Sequence, residues 1–185
     1  MNHLATSKED ILAASRDLIK ENGWAAVSIR AVASRCSVSA GTIYNYYESK
    51  ADLLSDTIES IWHEIFFYPE DEQVFHDVES CISWIYERLE YGNRQFPGFF
   101  SLHSFGFMRD EKTSGKKRMM KTWGHILNGL CEVLGNDPKV RADVFDQEFT
   151  EKKFADILFS LILVSMIRQD YDPSSVLMLV KKTLY

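Results

Sequence analysis

Apolar residues recur along this chain at the three- and four-residue intervals of amphipathic helices. Ile11, Leu12, Leu18 and Ile19 share one helical face with Ser15, and Thr6 with Glu9 ahead of them has the spacing of a capping box. Asn22-Gly23 ends that helix, because glycine readily takes the left-handed conformation at a carboxyl cap. Ser28 starts a second, short helix with Ile29, Val32 and Ala33 on one face. Cys36-Ser37 interrupts it, Val38 is apolar, and Ser39 caps a third short helix from Ala40 through about Tyr46 or Tyr47. Ser49 with Asp52 is a further capping box, after which Leu53, Leu54, Ile58, Ile61, Trp62, Ile65 and Phe66 carry a long fourth helix to Pro69.

The pattern continues in the same period. Val74, Val78, Ile82, Ile85 and Leu89 mark a fifth helix, and "FPGFFSLHSFGFM" from Phe96 to Met108 is a broken aromatic segment. Met119 to Leu134 reads as another helix that stops at Gly135. Phe154 to Ile167 is a helix apolar nearly all round, and Pro173, behind Asp172, opens a last one with Val176, Leu177, Leu179 and Val180. The expectation is an all-α chain, three compact helices feeding one long one, divided into residues 1–54 and 55–185.

The segment Ile29 to Tyr46 matches a known device. In a helix-turn-helix, two short helices pack through small and apolar residues at fixed offsets, leaving the outer face of the second free for the major groove. Val32, Ala33, Cys36, Val38, Ile43 and Tyr46 occupy those offsets. Ser37 stands in the turn where such units usually carry glycine, and a residue with a β-carbon pays about 1 kcal/mol or more in a left-handed conformation.

Charge decides where nucleic acid could bind. The 185-residue chain has a net charge of −6. Residues 1–53 hold six basic side chains (Lys8, Arg16, Lys20, Arg30, Arg35, Lys50) and six acidic ones (Glu9, Asp10, Asp17, Glu21, Glu48, Asp52), so the surplus acid lies beyond them. An acidic body repels nucleic acid and anionic membrane, and any DNA contact must come from the front portion. The basic run Lys112 to Lys121 lies in that body and reads as a solvated loop and helix start.

Other chemistry is sparse. An apolar content of 45% with 13% aromatic residues describes an ordered globular protein. Cys36, Cys81 and Cys131 are odd in number and far apart, and the histidines show no metal-ligand spacing. There is no glycine-rich phosphate loop and no assembled nucleophile, so no enzyme, metal or cofactor is expected. The amino terminus has no signal-peptide pattern, and the longest apolar run, Ile157 to Ile167, is too short for a bilayer; the expected location is the cytoplasm, with no membrane partner.

The stretch from Thr6 to about Leu54 resembles the amino-terminal DNA-binding domain of the TetR family of bacterial transcriptional regulators. The resemblance lies in "ILAASRDLIKENGW", in "VSIRAVASRCSVSAGTIYNYYESKADLL", above all Thr42-Ile43-Tyr44 followed by Tyr47 and Lys50, and in the all-helical remainder. It implies that Thr42, Tyr44 and Tyr46 are contact positions, with Tyr44 on a phosphate, that Tyr47 is a core aromatic, and that Lys50 meets the DNA backbone. The residues agree with this. A helix places Thr42, Asn45 and Tyr46 on one side and Ile43 with Tyr47 on roughly the other. Lys50 follows the Ser49 cap, where free backbone NH groups and the helix dipole also favour phosphate. Arg30 is the remaining cation near the unit, while Arg16 and Arg35 read as solvated charges and Glu48 should repel phosphate unless it points away. The expected DNA-binding set is Ser28, Arg30, Ser39, Thr42, Tyr44, Asn45, Tyr46 and Lys50.

So few cations per head call for two heads. A symmetric dimer would set its recognition helices about 34 Å apart and read a palindromic operator in double-stranded DNA. The last two helices supply a candidate homodimer interface, Phe154, Leu158, Leu161, Ile162, Val176, Leu179 and Val180, in an intermolecular four-helix bundle of the kind the resemblance implies; complete burial within one chain is the alternative. Trp62, Trp84, Tyr91, Phe99, Phe100, His103, Phe107 and Trp123 are candidates to line a cavity for a small apolar or aromatic effector, although packed core explains any single one equally well. The resemblance implies that such an effector changes the separation of the heads. The expected function is a dimeric, sequence-specific DNA-binding regulator, a repressor released by a small molecule; the alternative is a body that binds a protein partner.

Overall fold

The computed structural model describes residues 6–66, 75–100 and 114–185, with side chains omitted for 114–122. Among the described residues are no strand, one 3-10 turn at Trp24–Ala26 and eight α-helices. They are α1 (Lys8–Asn22), α2 (Ile29–Arg35), α3 (Ala40–Tyr44), α4 (Lys50–Phe66), α5 (Val78–Gln95), α6 (Ser114–Asn136), α7 (Glu151–Arg168) and α8 (Ser174–Leu184). None is long and apolar enough to cross a membrane. The chain forms two compact units, residues 1–67 with 95–97, and residues 68–94 with 98–185. The long helix α4 thus groups with the three compact helices before it.

The core of the first unit follows the apolar stripes. Ile11, Ile19, Val32, Ile43, Leu53, Ile61 and Ile65 are fully buried or nearly so, each contributing roughly 1.5–3 kcal/mol of transfer free energy. Two hydroxyls buried with them are satisfied within their own helices: Ser15 donates to the Ile11 carbonyl at 3.0 Å and Thr57 to that of Leu53 at 2.7 Å. The first cap differs from the expected one. Ser7, not Thr6, is the N-cap: its Oγ accepts from the Asp10 amide at 3.1 Å, and the Asp10 carboxylate accepts from the Ser7 amide at 2.8 Å. These bonds hold the Asp10 carboxyl below its ordinary pKa. Thr6 is instead buried. Gly23 closes α1 at φ 76, and α3 ends at Tyr44, two or three residues sooner than expected.

In the second unit, α5 and α7 are joined by a 2.8 Å hydrogen bond between the hydroxyls of Tyr86 and Ser165. Thr150 caps α7 by accepting from the Lys153 amide. The rings of Phe145, Phe149 and Phe154 meet in a cluster at its start, with centroids 5.7 to 6.3 Å apart. The buried Asp137 carboxylate accepts from the Val78 amide at 2.9 Å, the Lys139 amide at 2.9 Å and the Tyr185 hydroxyl at 2.6 Å. Around it, Lys139 pairs with Asp77 at 2.8 Å and the Arg141 amide donates to the Leu184 carbonyl at 2.9 Å. This polar knot ties the start of α5 to the end of α8 and fixes the long connection between α6 and α7.

The two faces of α7 are assigned differently from the sequence expectation. Phe154, Leu158 and Ile162, with Val176 and Val180 of α8, lie in the core of their own unit and have no surface left for a partner chain. The side left open is the other one, Ile157 (43% exposed), Val164 (43%) and Ile167 (45%), with half-buried Leu161 between them. Met178 (58%) and Leu179 (38%) are the exposed apolar residues of α8. A helix apolar on every side does not declare which side is inward, and neighbouring helices decided it.

Candidate nucleic-acid interface

The unit from Ser28 to Lys50 is built from caps and one strained turn. Ser28 Oγ accepts from the Ala31 amide at 3.1 Å and begins α2. At its end the Ser37 amide donates to the Ser34 carbonyl at 3.1 Å and the Val38 amide to the Ala33 carbonyl at 2.9 Å, the two bonds of a Schellman motif. That motif places Ser37 at φ 56, left-handed, as its glycine-like position in the turn requires. Ser39 Oγ then accepts from the Thr42 amide at 3.1 Å and starts α3.

A five-residue helix is too short to hold itself. Ile43 is fully buried and Tyr47 nearly so, which pins one side of α3 to the core. The other side faces outward, with Gly41, Tyr44 and Asn45 exposed and Tyr44 showing 56% of its surface. Thr42 is half-buried, its hydroxyl 3.0 Å from that of Ser39. Because Ser28 serves as a cap through its oxygen, its hydroxyl proton remains able to reach an acceptor such as a phosphate oxygen, whereas one proton of the Ser39–Thr42 pair lies between the two hydroxyls.

Electrostatics separate the cations of this unit into two groups. Lys8 pairs with Asp56 at 2.6 Å, Arg16 with Glu9 at 2.8 Å and Glu64 at 3.1 Å, and Lys20 with Glu64 at 2.6 Å. Arg35 is bonded to Glu21 at 2.6 Å, which lowers the Glu21 carboxyl pKa and raises that of the guanidinium. Arg30 and Lys50 have no carboxylate partner among the described residues, and both are exposed. They flank α3, one on α2 and one on the first turn of α4, where Ser49 Oγ accepts from the Asp52 amide at 3.2 Å. The two cations assigned to DNA are thus the two left unneutralised. Glu48 is exposed nearby.

Tyr46 departs from its expected role. Its hydroxyl donates to the Thr6 carbonyl at 2.6 Å, and the ring is half-buried. Gly41, exposed on the same side of α3 as Tyr44, was not singled out from the sequence. Among the described residues a Cβ there would meet only Ser39 Oγ at 3.5 Å, an ordinary contact. The available signal was a poor helix former inside a very short helix.

Residues 11–57 match the model of the bacterial regulatory proteins of the tetR family. Residues 11–57 form a TetR-family DNA-binding domain. The HTH-type transcriptional regulator UidR of Escherichia coli K12 is 38% identical over 48 residues, 26% of this chain and 24% of UidR, so the match spans about a quarter of that relative. Two solved structures share the fold over nearly the whole chain. A TetR transcription regulator from Haloarcula marismortui has a TM-score of 0.71 at 18% identity, covering 96% of this chain and 98% of its own. A transcriptional regulator from Rhodococcus sp. RHA1 has a TM-score of 0.65 at 19% identity, with 91% and 86% covered.

Six of the eight expected effector residues lie among the described residues. Trp62 belongs to the first unit, where it is buried and stacks on Phe66 at 5.6 Å. In the second unit Trp84 lies 5.3 Å from Phe75, the Arg88 guanidinium covers Tyr91, Phe99 and Phe100 are buried against each other, and Trp123 meets Phe159 edge-on. His103 and Phe107 lie outside the described residues.

Proposed function

We propose that this chain is a dimeric transcriptional regulator that reads a palindromic operator in double-stranded DNA and represses until a small apolar or aromatic effector releases it. One observation carries the DNA half: Arg30 and Lys50, without a carboxylate partner among the described residues, flank an exposed surface of Tyr44, Asn45 and Gly41 on a helix pinned from behind. Tyr44 and Lys50 hold phosphates, Arg30 meets the backbone or a base edge, and the Asn45 amide has the donor and acceptor that adenine presents in the major groove. Dimerisation comes from the open side of α7 and α8, where Ile157, Leu161, Val164, Met178 and Leu179 supply apolar area that a single chain leaves in water. The aromatic second unit supplies the effector site, and repression follows from operator occupancy.

Selection of bound genomic fragments by the purified protein, at about 150 mM salt and beside Tyr44→Ala, tests this reading. An inverted repeat enriched by the wild type and lost in the variant supports it. No enrichment by folded, dimeric protein overturns it.

A further inference from the structure

Tyr46 sits at a contact position of the helix-turn-helix, yet its only hydroxyl proton is committed. It donates to the Thr6 carbonyl at 2.6 Å, across 40 residues of sequence. Phosphate oxygens only accept hydrogen bonds, so Tyr46 cannot donate to a phosphate while that bond stands. Thr6 is itself buried, and Ser7 beside it is locked by the Asp10 carboxylate, so the acceptor is held in place.

We infer that Tyr46 is a positioning residue, whose bond to the chain ahead of α1 sets the orientation in which α3 is presented to DNA. The helix needs such a strut. α3 has only five residues, and just beyond it both the Tyr46 and the Tyr47 amides turn back to the Ile43 carbonyl, at 3.0 and 3.1 Å. Ile43 and Tyr47 pin it along one side, but two apolar anchors a turn apart leave rotation about their line. The Tyr46 bond lies off that line and stops the rotation, so Tyr44 and Asn45 face outward together. The contribution of this chain to its own recognition surface therefore begins at Thr6, before the first helix.

The inference rests on the DNA-binding reading, and a thermodynamic cycle separates the two. Operator affinity is measured for the full chain and for a chain beginning at Ser7, each with Tyr46 and with Tyr46→Phe, after circular dichroism has shown all four folded. In the full chain Y46F weakens binding by roughly five-fold per head, the equivalent of one ordinary hydrogen bond. In the shortened chain, where the acceptor is gone, the same substitution changes affinity less than two-fold, and the salt slope is the same in all four. Equal losses in both backgrounds would mean that the hydroxyl touches DNA directly, and no loss in the full chain would mean that the bond positions nothing; either result overturns the inference. Absence of operator binding by the unaltered chain would instead overturn the DNA-binding reading itself.

Discussion

The amide of Val38 donates to the carbonyl of Ala33 across 2.9 Å, and the chain can close α2 this way only by passing through left-handed Ser37 at φ 56. A β-carbon in that conformation costs roughly 1–2 kcal/mol, against about 0.4–1 kcal/mol for the looser unfolded chain that glycine brings. Ser37→Gly should therefore raise stability by about 0.5–1 kcal/mol, and Ser37→Val, β-branched, should lower it by at least about 1 kcal/mol. Urea unfolding of the three proteins checks both signs. A glycine variant no more stable than the wild type would contradict the strain.

The division of cations predicts a selective salt dependence. Each phosphate neutralised contributes about 0.9 to the slope of log affinity against log salt, so removing one cation from each head of a dimer should reduce the slope by about 1.8. Arg30→Ala and Lys50→Ala should each do so. Arg35→Ala should not, since its guanidinium is already held by Glu21. Fluorescence anisotropy on a labelled operator at several salt concentrations distinguishes them.

The opposed faces of α7 predict opposite consequences for two neighbouring substitutions. Val164→Asp lies on the open side and should give a folded monomer. Leu158→Asp buries a carboxylate in the core, where even truncation to alanine costs about 2–5 kcal/mol, and should unfold its unit. Analytical ultracentrifugation and thermal melts read both. A Val164→Asp protein that still dimerises at micromolar concentration would place the interface elsewhere.

Acid should loosen the polar knot of the second unit. The hydrogen bond from Lys139 Nζ, with those from Ser80, holds the Asp77 carboxyl down at about 2 from its ordinary 3.8. A depressed folded pKa favours the ionised fold, so the contribution is whole above about pH 4, declines as pH falls toward 2 and is absent below. The stability difference between wild type and Asp77→Asn should follow that course in urea titrations at pH 7, 3.5 and 2.5. A pH-independent difference would show that the bond to Lys139 does not carry it.

The thiols should be slow. Burial pushes Cys81 up to about 12, and it raises Cys131 and Cys36 as well. The thiolate is the reactive form, so a disulfide reagent at pH 8 should titrate Cys81 only on unfolding, and the other two more slowly than a free thiol. Fast reaction of all three in the folded protein would refute the burial.

Local signals carried most of the helix map and part of the interface. Ser28, Ser39 and Ser49 announce helix starts wherever they stand, since a cap needs only the next three residues, and Arg30 and Lys50 could be placed beside them for that reason. Helix-turn-helix spacing similarly marked Ile43 as inward, and the family resemblance implied a core Tyr47; both are buried. The first cap went to the wrong neighbour because Thr6-Glu9 and Ser7-Asp10 carry the same spacing one residue apart, and only packing buried Thr6.

What the sequence determined by itself, then, was an all-helical chain with a helix-turn-helix near its front, its strained serine turn, and the residue types able to meet DNA. Tertiary structure decided which of these are available. Lys8, Lys20 and Arg35 are neutralised by Asp56, Glu64 and Glu21, partners 14 to 48 positions away that no local pattern could pair with them. The Tyr46 hydroxyl was withdrawn by a carbonyl 40 residues earlier, and the inward side of α7 was chosen by its neighbours because its own composition is apolar all round. Caps and periodicity act over a few residues and are legible in order along the chain; ion pairing, hydroxyl commitment and the choice of a buried face depend on what the fold brings near.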